Sequence, residues 1–204
     1  MPHDSSDEPA TFFLLSPAKC GGERARALAK PNSRSELARQ LQSAEGARLG
    51  EVFAFLSALY FRGKLTYAEH FGRALVIAPG WGLVPARQLI KSGELEAIAR
   101  VGVAPGEARF VDPLARDASA LSVTLAPAVP VVLLGSIATG KYVDVLERVF
   151  GARLLFPSEF VGRGDMSRGG LLLRAARSGA ELAYRPVAGA ARRGPRPPKL
   201  ERVP

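Results

Sequence analysis

The segment GSIATGKY carries Gly135, Gly140 and Lys141 at the spacing of a phosphate-binding P-loop. A P-loop continues with Ser or Thr, whose hydroxyl helps to hold Mg²⁺, whereas this chain continues with Tyr142. We therefore expect a glycine-rich turn whose backbone N–H groups, together with the N-terminus of the following helix, hold an anion. Alternatively, the segment is a strand-to-helix turn that binds no ligand. A third possibility is that it is a true P-loop of a nucleotide triphosphatase.

A second group of candidate residues lies in the segment EFVGRGDMSRGG. Its glycines give a flexible backbone, and the guanidinium forks of Arg163 and Arg168 match the geometry of phosphate oxygens. Asp165 is either the N-cap of a following helix or a polar catalytic group, and Glu159 is a second candidate carboxylate. In the alternative reading, Asp165 only caps the helix and both arginines are solvated.

The segment LLSPAKCGG places Ser16, Lys19 and Cys20 at the end of an apolar run. Lys19 is a candidate phosphate contact, or a nucleophile if burial lowers its pKa, while Cys20 would need a basic partner to become a thiolate. His3 lies in a polar N-terminal segment and His70 in a helical pattern. Neither histidine completes a Ser-His-Asp or Cys-His arrangement, so the sequence argues against a conventional hydrolase triad.

The single tryptophan, Trp81, stands between two glycines in the segment APGWGLVP. An indole in such a loop can stack on a nucleobase, an interaction worth about 1–3 kcal/mol per base. Packing against the protein core is the alternative, because tryptophan is highly buried on average.

The elements that must position these residues alternate between strands and helices. Four apolar runs, TFFLLSP, ALVIAPG, VPVVLLG and ARLLFPS, break at Pro or Gly as short buried strands do. ELAYRPV is a candidate edge strand. Helical spacing is found in LGEVFAFLSALYFRGKLTYAEHFG, PARQLIKSGELEAIARVG, GKYVDVLERVFG and DMSRGGLLLRAARSG. We predict an α/β three-layer sandwich with a mainly parallel central sheet.

All four motifs follow predicted strands. They are SPAKCGG, PGWGLVP, GSIATGKY and PSEFVGRGDMSRGG. In open α/β sheets, ligands bind in the crevice beyond the carboxyl ends of the strands. We therefore expect the four motifs to share one crevice.

The length of the chain limits its domain organisation, and its net charge limits the class of partner. The chain has 204 residues, of which 47% are hydrophobic, which is enough for one full-sized domain over residues 11–187. We expect residues 1–10 to be a disordered lead and residues 188–204 a basic, Pro-rich tail. The net charge is +9, and residues 160–204 hold ten Lys or Arg against three Asp or Glu. This charge favours a nucleic-acid partner, although a basic average composition is the alternative explanation.

Other features favour the cytoplasm and a protein without cofactors. The apolar runs are too short to cross a bilayer, and the N-terminal MPHDSSDEPA lacks the basic start of a signal peptide, so no membrane partner is expected. A single cysteine, Cys20, allows no internal disulfide. With only two histidines beside it, the usual zinc sites cannot form, and we expect no structural metal.

Several segments resemble known families. LLSPAK, SALYFRGK and VIAPGWGLVP are similar to parts of the YaaA peroxide-stress family, a DNA-associated group, and to the accessory domain of archaeosine tRNA-guanine transglycosylases. VVLLGSIATGKYV and FPSEFVGRGDMSRGGLLLR resemble the second half of uracil-DNA glycosylase-like domains. The resemblance spans roughly residues 12–187 and implies a glycosylase-like α/β fold.

The resemblance also implies roles for particular segments. Ser16 to Lys19 would line the pocket, Ser136 to Ala138 would border the base, and Pro157 to Glu159 would form the loop near the DNA. The chain departs from the family at two points: SPAKCGG lacks the water-activating Asp or Asn of the first motif, and Phe156 replaces the His of the His-Pro-Ser loop. The four iron-sulfur cysteines of some glycosylase branches are also absent.

The expected function is that of a DNA glycosylase. Such an enzyme would bind double- or single-stranded DNA, flip out a modified or damaged base and cleave its N-glycosidic bond, in DNA repair or phage defence. The expected catalytic residues are Lys19, Asp165 and Glu159. The expected base-binding residues are Ser16, Tyr60, Trp81, Ser136 and Ile137. The expected phosphate contacts are Lys141, Arg163, Arg168, Arg192 and Arg193. The alternative is a non-enzymatic DNA-binding protein of oxidative stress.

Overall fold

A computed structural model describes residues 11–198 and Leu200. The predicted lead, residues 1–10, lies outside the described residues, as do Lys199 and residues 201–204 of the predicted tail. No helix within the described part is long and apolar enough to cross a membrane.

The described strands form one six-stranded sheet and one small two-stranded sheet. In chain order they are β1 (Thr11–Leu15), β2 (Ala47–Arg48), β3 (Gly72–Ala78), β4 (Gly82–Pro85), β5 (Leu89–Ile90), β6 (Val131–Leu134), β7 (Leu154–Pro157) and β8 (Tyr184–Pro186). The large sheet has the order β4-β3-β1-β6-β7-β8, while β2 pairs with β5. Its four inner strands are parallel and its two edge strands antiparallel.

The four predicted buried strands and the predicted edge strand are confirmed as β1, β3, β6, β7 and β8. Leu15, the last residue of β1, pairs with Val76 on one side and with Leu134 on the other. The carboxyl ends of these neighbouring strands therefore meet along one edge of the sheet. The predicted α/β class with a mainly parallel sheet is confirmed.

Seven α-helices flank the sheet within the described residues. They are α1 (Glu23–Ala29), α2 (Glu36–Gln42), α3 (Leu49–Phe71), α4 (Ser92–Ala99), α5 (Ala108–Thr124), α6 (Gly140–Phe150) and α7 (Asp165–Ser178). Helices α3 and α7 pack against each other, and so do α5 and α6. The predicted helices α3, α6 and α7 are confirmed, and Gly151 and Gly179 follow α6 and α7 at positive φ angles.

The helix predicted from PARQLIKSGELEAIARVG is wrong in its first half. Leu89 and Ile90 form β5, in which Ile90 pairs with Ala47, and only Ser92–Ala99 is helical. The helix starts after Lys91, whose backbone N–H donates a 2.7 Å hydrogen bond to the Glu94 carboxylate. This cap satisfies a backbone group that would otherwise lack a partner at the helix start.

Helix α3 is kinked at Ala58, which has φ 48° and ψ −127°. Before the kink, Phe55 is 37% exposed whereas Phe53 is fully buried. The part of α3 beyond the kink carries Tyr60 and Lys64, both of which are buried.

Helices α3 and α7 approach so closely that two glycines are required at the crossing. A Cβ atom on Gly63 would lie 2.6 Å from the Gly169 carbonyl oxygen, and a Cβ atom on Gly169 would lie 2.7 Å from the Leu59 carbonyl oxygen. Glycine is the residue that permits such a close approach of two backbones. The crossing holds the second half of α3 against the start of α7.

Candidate functional site

A cavity of about 600 Å³ lies at the edge of the sheet where β1 and β6 end. Its walls come from the segment after β1, the second half of α3, the turn between β6 and α6, and the first turn of α7. Seven of the residues predicted for the site line this cavity: Ser16, Lys19, Tyr60, Ser136, Lys141, Asp165 and Arg168. Three of the four motifs that follow strands therefore share one crevice.

The fourth motif, PGWGLVP, does not contribute to the cavity lining. It turns β3 back into the antiparallel β4, with Gly80 and Gly82 at positive φ angles. Trp81 is half-buried and packs against the hydrophobic core. The Trp81 indole therefore packs against the core, as in the alternative to base stacking.

Five other predicted site residues lie outside the set that lines the cavity: Ile137, Glu159, Arg163, Arg192 and Arg193. Ile137 is buried in the core. Glu159 is exposed, and its carboxylate lies 3.8 Å from the Arg163 guanidinium. Arg163 also donates hydrogen bonds to the carbonyl oxygens of Glu159, at 3.0 Å, and Pro198, at 3.3 Å. Arg163 therefore joins its own loop to the C-terminal segment.

The C-terminal segment is attached to α6 through Arg192. Its guanidinium forms ion pairs with Asp144 at 3.0 Å and Glu147 at 2.9 Å. Arg193 is exposed. The prediction that both arginines contact phosphate stays a prediction, and Arg192 already pairs with two carboxylates.

Lys64 is a candidate site residue that the sequence reasoning missed. Its Nζ donates hydrogen bonds to the Ser16 carbonyl oxygen at 2.6 Å and to Ser16 Oγ at 2.8 Å. The same atom lies 4.5 Å from the centre of the Tyr60 ring and 4.6 Å from that of Phe61. Burial lowers the pKa of Lys64 to about 7, and the nearby Asp165 carboxylate partly opposes this shift. Near neutral pH the cavity wall therefore holds an amine that is partly unprotonated.

Ser16 connects this amine to the turn after β6. The Ser16 backbone N–H donates to the Leu134 carbonyl oxygen at 3.2 Å, which extends the pairing of β1 with β6 by one residue. A Cβ atom on Gly135 would lie 2.9 Å from Ser16 Cβ and 3.0 Å from the Tyr142 hydroxyl. Gly135 thus allows Ser16 and Tyr142 to come together.

Tyr142 explains why the P-loop-like spacing does not form a P-loop. Its ring is buried, and its hydroxyl donates a 3.1 Å hydrogen bond to the Ser136 carbonyl oxygen. The turn is therefore stabilised from within by a residue that stands where a P-loop has its Mg²⁺-binding hydroxyl. Lys141 is exposed beside the turn and lines the cavity.

Arg168 and Asp165 occupy the first turn of α7. Arg168 is 8% exposed, and its Nε and Nη2 donate to the Phe160 carbonyl oxygen at 3.1 and 3.0 Å. Its Nη1 donates to Asp165 Oδ1 at 3.3 Å. The N-cap of α7 is Gly164, so the reading of Asp165 as the N-cap is wrong. As the first helical residue, Asp165 keeps an exposed carboxylate at the cavity.

The Tyr60 hydroxyl is buried, and within the described residues it has no hydrogen bond of normal geometry. Burial raises the pKa of Tyr60, and the Arg168 guanidinium partly opposes the rise. A buried hydroxyl without a well-formed partner is costly for the free protein, so a ligand that reaches it gains a hydrogen bond.

The cavity therefore combines several kinds of polar group. They are the Lys64 amine, the Ser16 hydroxyl, the hydroxyls of Tyr60 and Tyr142, the Asp165 carboxylate, and the exposed Lys19 and Lys141. Among the described residues there is no group of three or more His, Cys, Asp or Glu side chains that could hold a metal ion. No family model, no curated protein and no solved structure matches the chain. The resemblance to the YaaA and uracil-DNA glycosylase-like families stays a prediction.

Proposed function

We propose that the protein binds DNA and cleaves the N-glycosidic bond of a modified or damaged base. The observation that supports this proposal is the joining of aromatic, cationic and acid-base groups in one cavity at the carboxyl edge of the sheet. Its volume of about 600 Å³ is in the range of small-molecule sites, roughly 300–1,000 Å³. DNA repair or defence against phage would follow from such an activity.

In this proposal the base enters the cavity beside Tyr60 and Tyr142. Flipping a base out of a duplex costs a few kcal/mol, and contacts with aromatic side chains recover part of that cost. The exposed Lys19 and Lys141 hold the phosphates that flank the flipped nucleotide. The Asp165 carboxylate stabilises positive charge on the deoxyribose as the bond to the base breaks.

The proposal predicts base release that depends on Asp165. Genomic DNAs with natural, damaged and hypermodified bases are incubated with the protein, and released bases are identified by mass spectrometry. We expect the wild-type protein to release one kind of base. The rate of release should fall by about 100-fold or more in Asp165→Asn, because charge stabilisation of this kind contributes that much. The rate should be unchanged in Asp112→Asn. Asp112 is an exposed aspartate on α5 and serves as the matched control.

A DNA-binding protein without catalysis is the second candidate. The exposed Lys19 and Lys141 at the cavity favour it, because phosphate contacts position DNA without any catalytic group. Binding of DNA with no base released from any of the tested DNAs, by wild type or variant, would support this candidate and contradict the glycosylase.

Either candidate predicts a phosphate contact by Lys141. The Lys141→Ala substitution should weaken DNA binding and reduce the slope of log K against log salt by about one, because one fewer counterion is released. Arg100→Ala removes an exposed cation that pairs with Glu96 at 3.2 Å and does not line the cavity, and it should leave the slope unchanged. Fluorescence anisotropy titrations over a range of salt concentrations measure both slopes. Equal slopes for the two variants would show that Lys141 makes no phosphate contact.

A further inference from the structure

Lys64 is buried, and its hydrogen bonds are to uncharged oxygen atoms. Lysine is almost never fully buried unless it is paired. The Lys64 side chain is 1% exposed, and both of its hydrogen bonds go to uncharged oxygen atoms of Ser16. A lysine held in this way loses hydration without gaining a hydrogen-bonded carboxylate, so its charged form is disfavoured.

Lys64 also lines the cavity in which the proposed function places the flipped nucleotide. Its Nζ lies between Ser16 and the Tyr60 ring, and Lys19 and Lys141, the lysines proposed to hold phosphates, line the same cavity. A desolvated lysine of lowered pKa is the group that attacks carbonyl carbons to form Schiff bases. Ser16 Oγ, 2.8 Å from Nζ, can relay the protons that such a condensation moves.

We propose that Lys64 is a nucleophile that condenses with the deoxyribose aldehyde of an abasic site and cleaves the DNA strand there. This inference rests on the proposed function, because release of a base creates that aldehyde in the cavity. It adds a second activity, strand cleavage, to the first.

The reaction balances without any oxidant or reductant. The Nζ lone pair attacks C1′ of the open-chain aldehyde, the carbonyl oxygen leaves as water after it has taken up two protons, and an iminium ion remains. The iminium group acidifies C2′, so a C2′ proton is lost and the 3′ phosphate departs with the electron pair of its bond to C3′. Water then hydrolyses the imine, which restores the Lys64 amine and releases an unsaturated aldehyde on the 5′ fragment.

The test uses a synthetic duplex with one preformed abasic site, so base recognition is not required. Sodium borohydride, added during incubation with the full-length protein, reduces the imine to a stable amine and crosslinks protein to DNA. We expect a crosslink that peptide mapping locates on Lys64, and strand cleavage at the abasic site when borohydride is omitted. Both should be lost in Lys64→Arg, whereas Lys19→Ala should lower the crosslink yield without moving its position.

Two outcomes would overturn the inference: no crosslink with the wild-type protein, or a crosslink that maps to another residue. Mapping on the wild type decides the matter even if the Lys64 variants fail to fold, which melting temperatures of the variants would show. Base release from genomic DNA without a crosslink would leave the proposed function standing and remove this inference. A Lys64 crosslink without base release from any DNA would support this inference and contradict the proposed base release.

Discussion

The free energy of unfolding of the wild-type protein should increase between pH 7 and pH 10.5 relative to that of a Lys64→Met variant. In the unfolded chain Lys64 has its ordinary pKa of 10.5, whereas in the folded protein burial lowers the pKa to about 7. Between these values the unfolded state binds one proton more than the folded state, so stability rises with pH. The difference corresponds to on the order of 5 kcal/mol over the whole window.

Urea denaturation at pH 7, 8, 9 and 10 measures this effect. The Lys64→Met variant carries no titrating group at this position, so the difference between the two proteins isolates the contribution of Lys64. Lys19→Met, changed at an exposed lysine of the same cavity, is the matched control and should follow the wild type. Parallel curves for the wild type and Lys64→Met would mean that Lys64 keeps its proton in the folded protein.

The Gly169→Ala substitution should destabilise the protein by about 3 kcal/mol or more, the upper range for overpacking a tightly packed site. The new Cβ atom would lie 2.7 Å from the Leu59 carbonyl oxygen and 2.8 Å from Tyr60 Cα. Both are backbone atoms, so neither can move aside as the end of a side chain does. Helices α3 and α7 would have to separate, which would also displace Tyr60 from the cavity.

Gly170→Ala is the matched control in the same helix. The nearest atom to its new Cβ would be Leu200 Cδ1 at 3.4 Å, an ordinary contact. Replacing glycine by alanine in a helix favours the helix by up to about 1 kcal/mol, so this variant should be unchanged or more stable. Thermal and urea denaturation compare the two variants. If both had the same stability, the close helix crossing would be incorrect.

Much of the sheet can be predicted because a buried parallel strand leaves a simple pattern. A run such as VPVVLLG is short, rich in valine and apolar on both faces, and it ends at a glycine, which together are typical of a buried strand. The motif PGWGLVP, which follows β3, was wrongly predicted to line the crevice. Ligands bind beyond the carboxyl ends of strands that are connected in parallel, and β3 is followed by an antiparallel strand. Gly80 and Gly82 instead allow a tight return into an antiparallel strand, which carries Trp81 away from the cavity lining.

Lys64 was missed because a charged residue in a helical pattern usually faces solvent. Its spacing did contain a signal, since Tyr60 and Lys64 are four residues apart beyond the kink and so share a helix face. The burial itself depends on the kink at Ala58 and on the approach of α7, which brings Gly169 to Gly63. Those contacts join parts of the chain about a hundred residues apart, and no local pattern encodes them.

The two edges of the large sheet are formed by the antiparallel strands β4 and β8. Strands β4 and β8 have four and three residues, and each ends in a proline, Pro85 or Pro186. Short strands that contain proline offer few free backbone groups for pairing, and Arg185 adds a charge to β8. The large sheet is therefore protected against joining edge to edge with the sheet of a second copy at high local concentration.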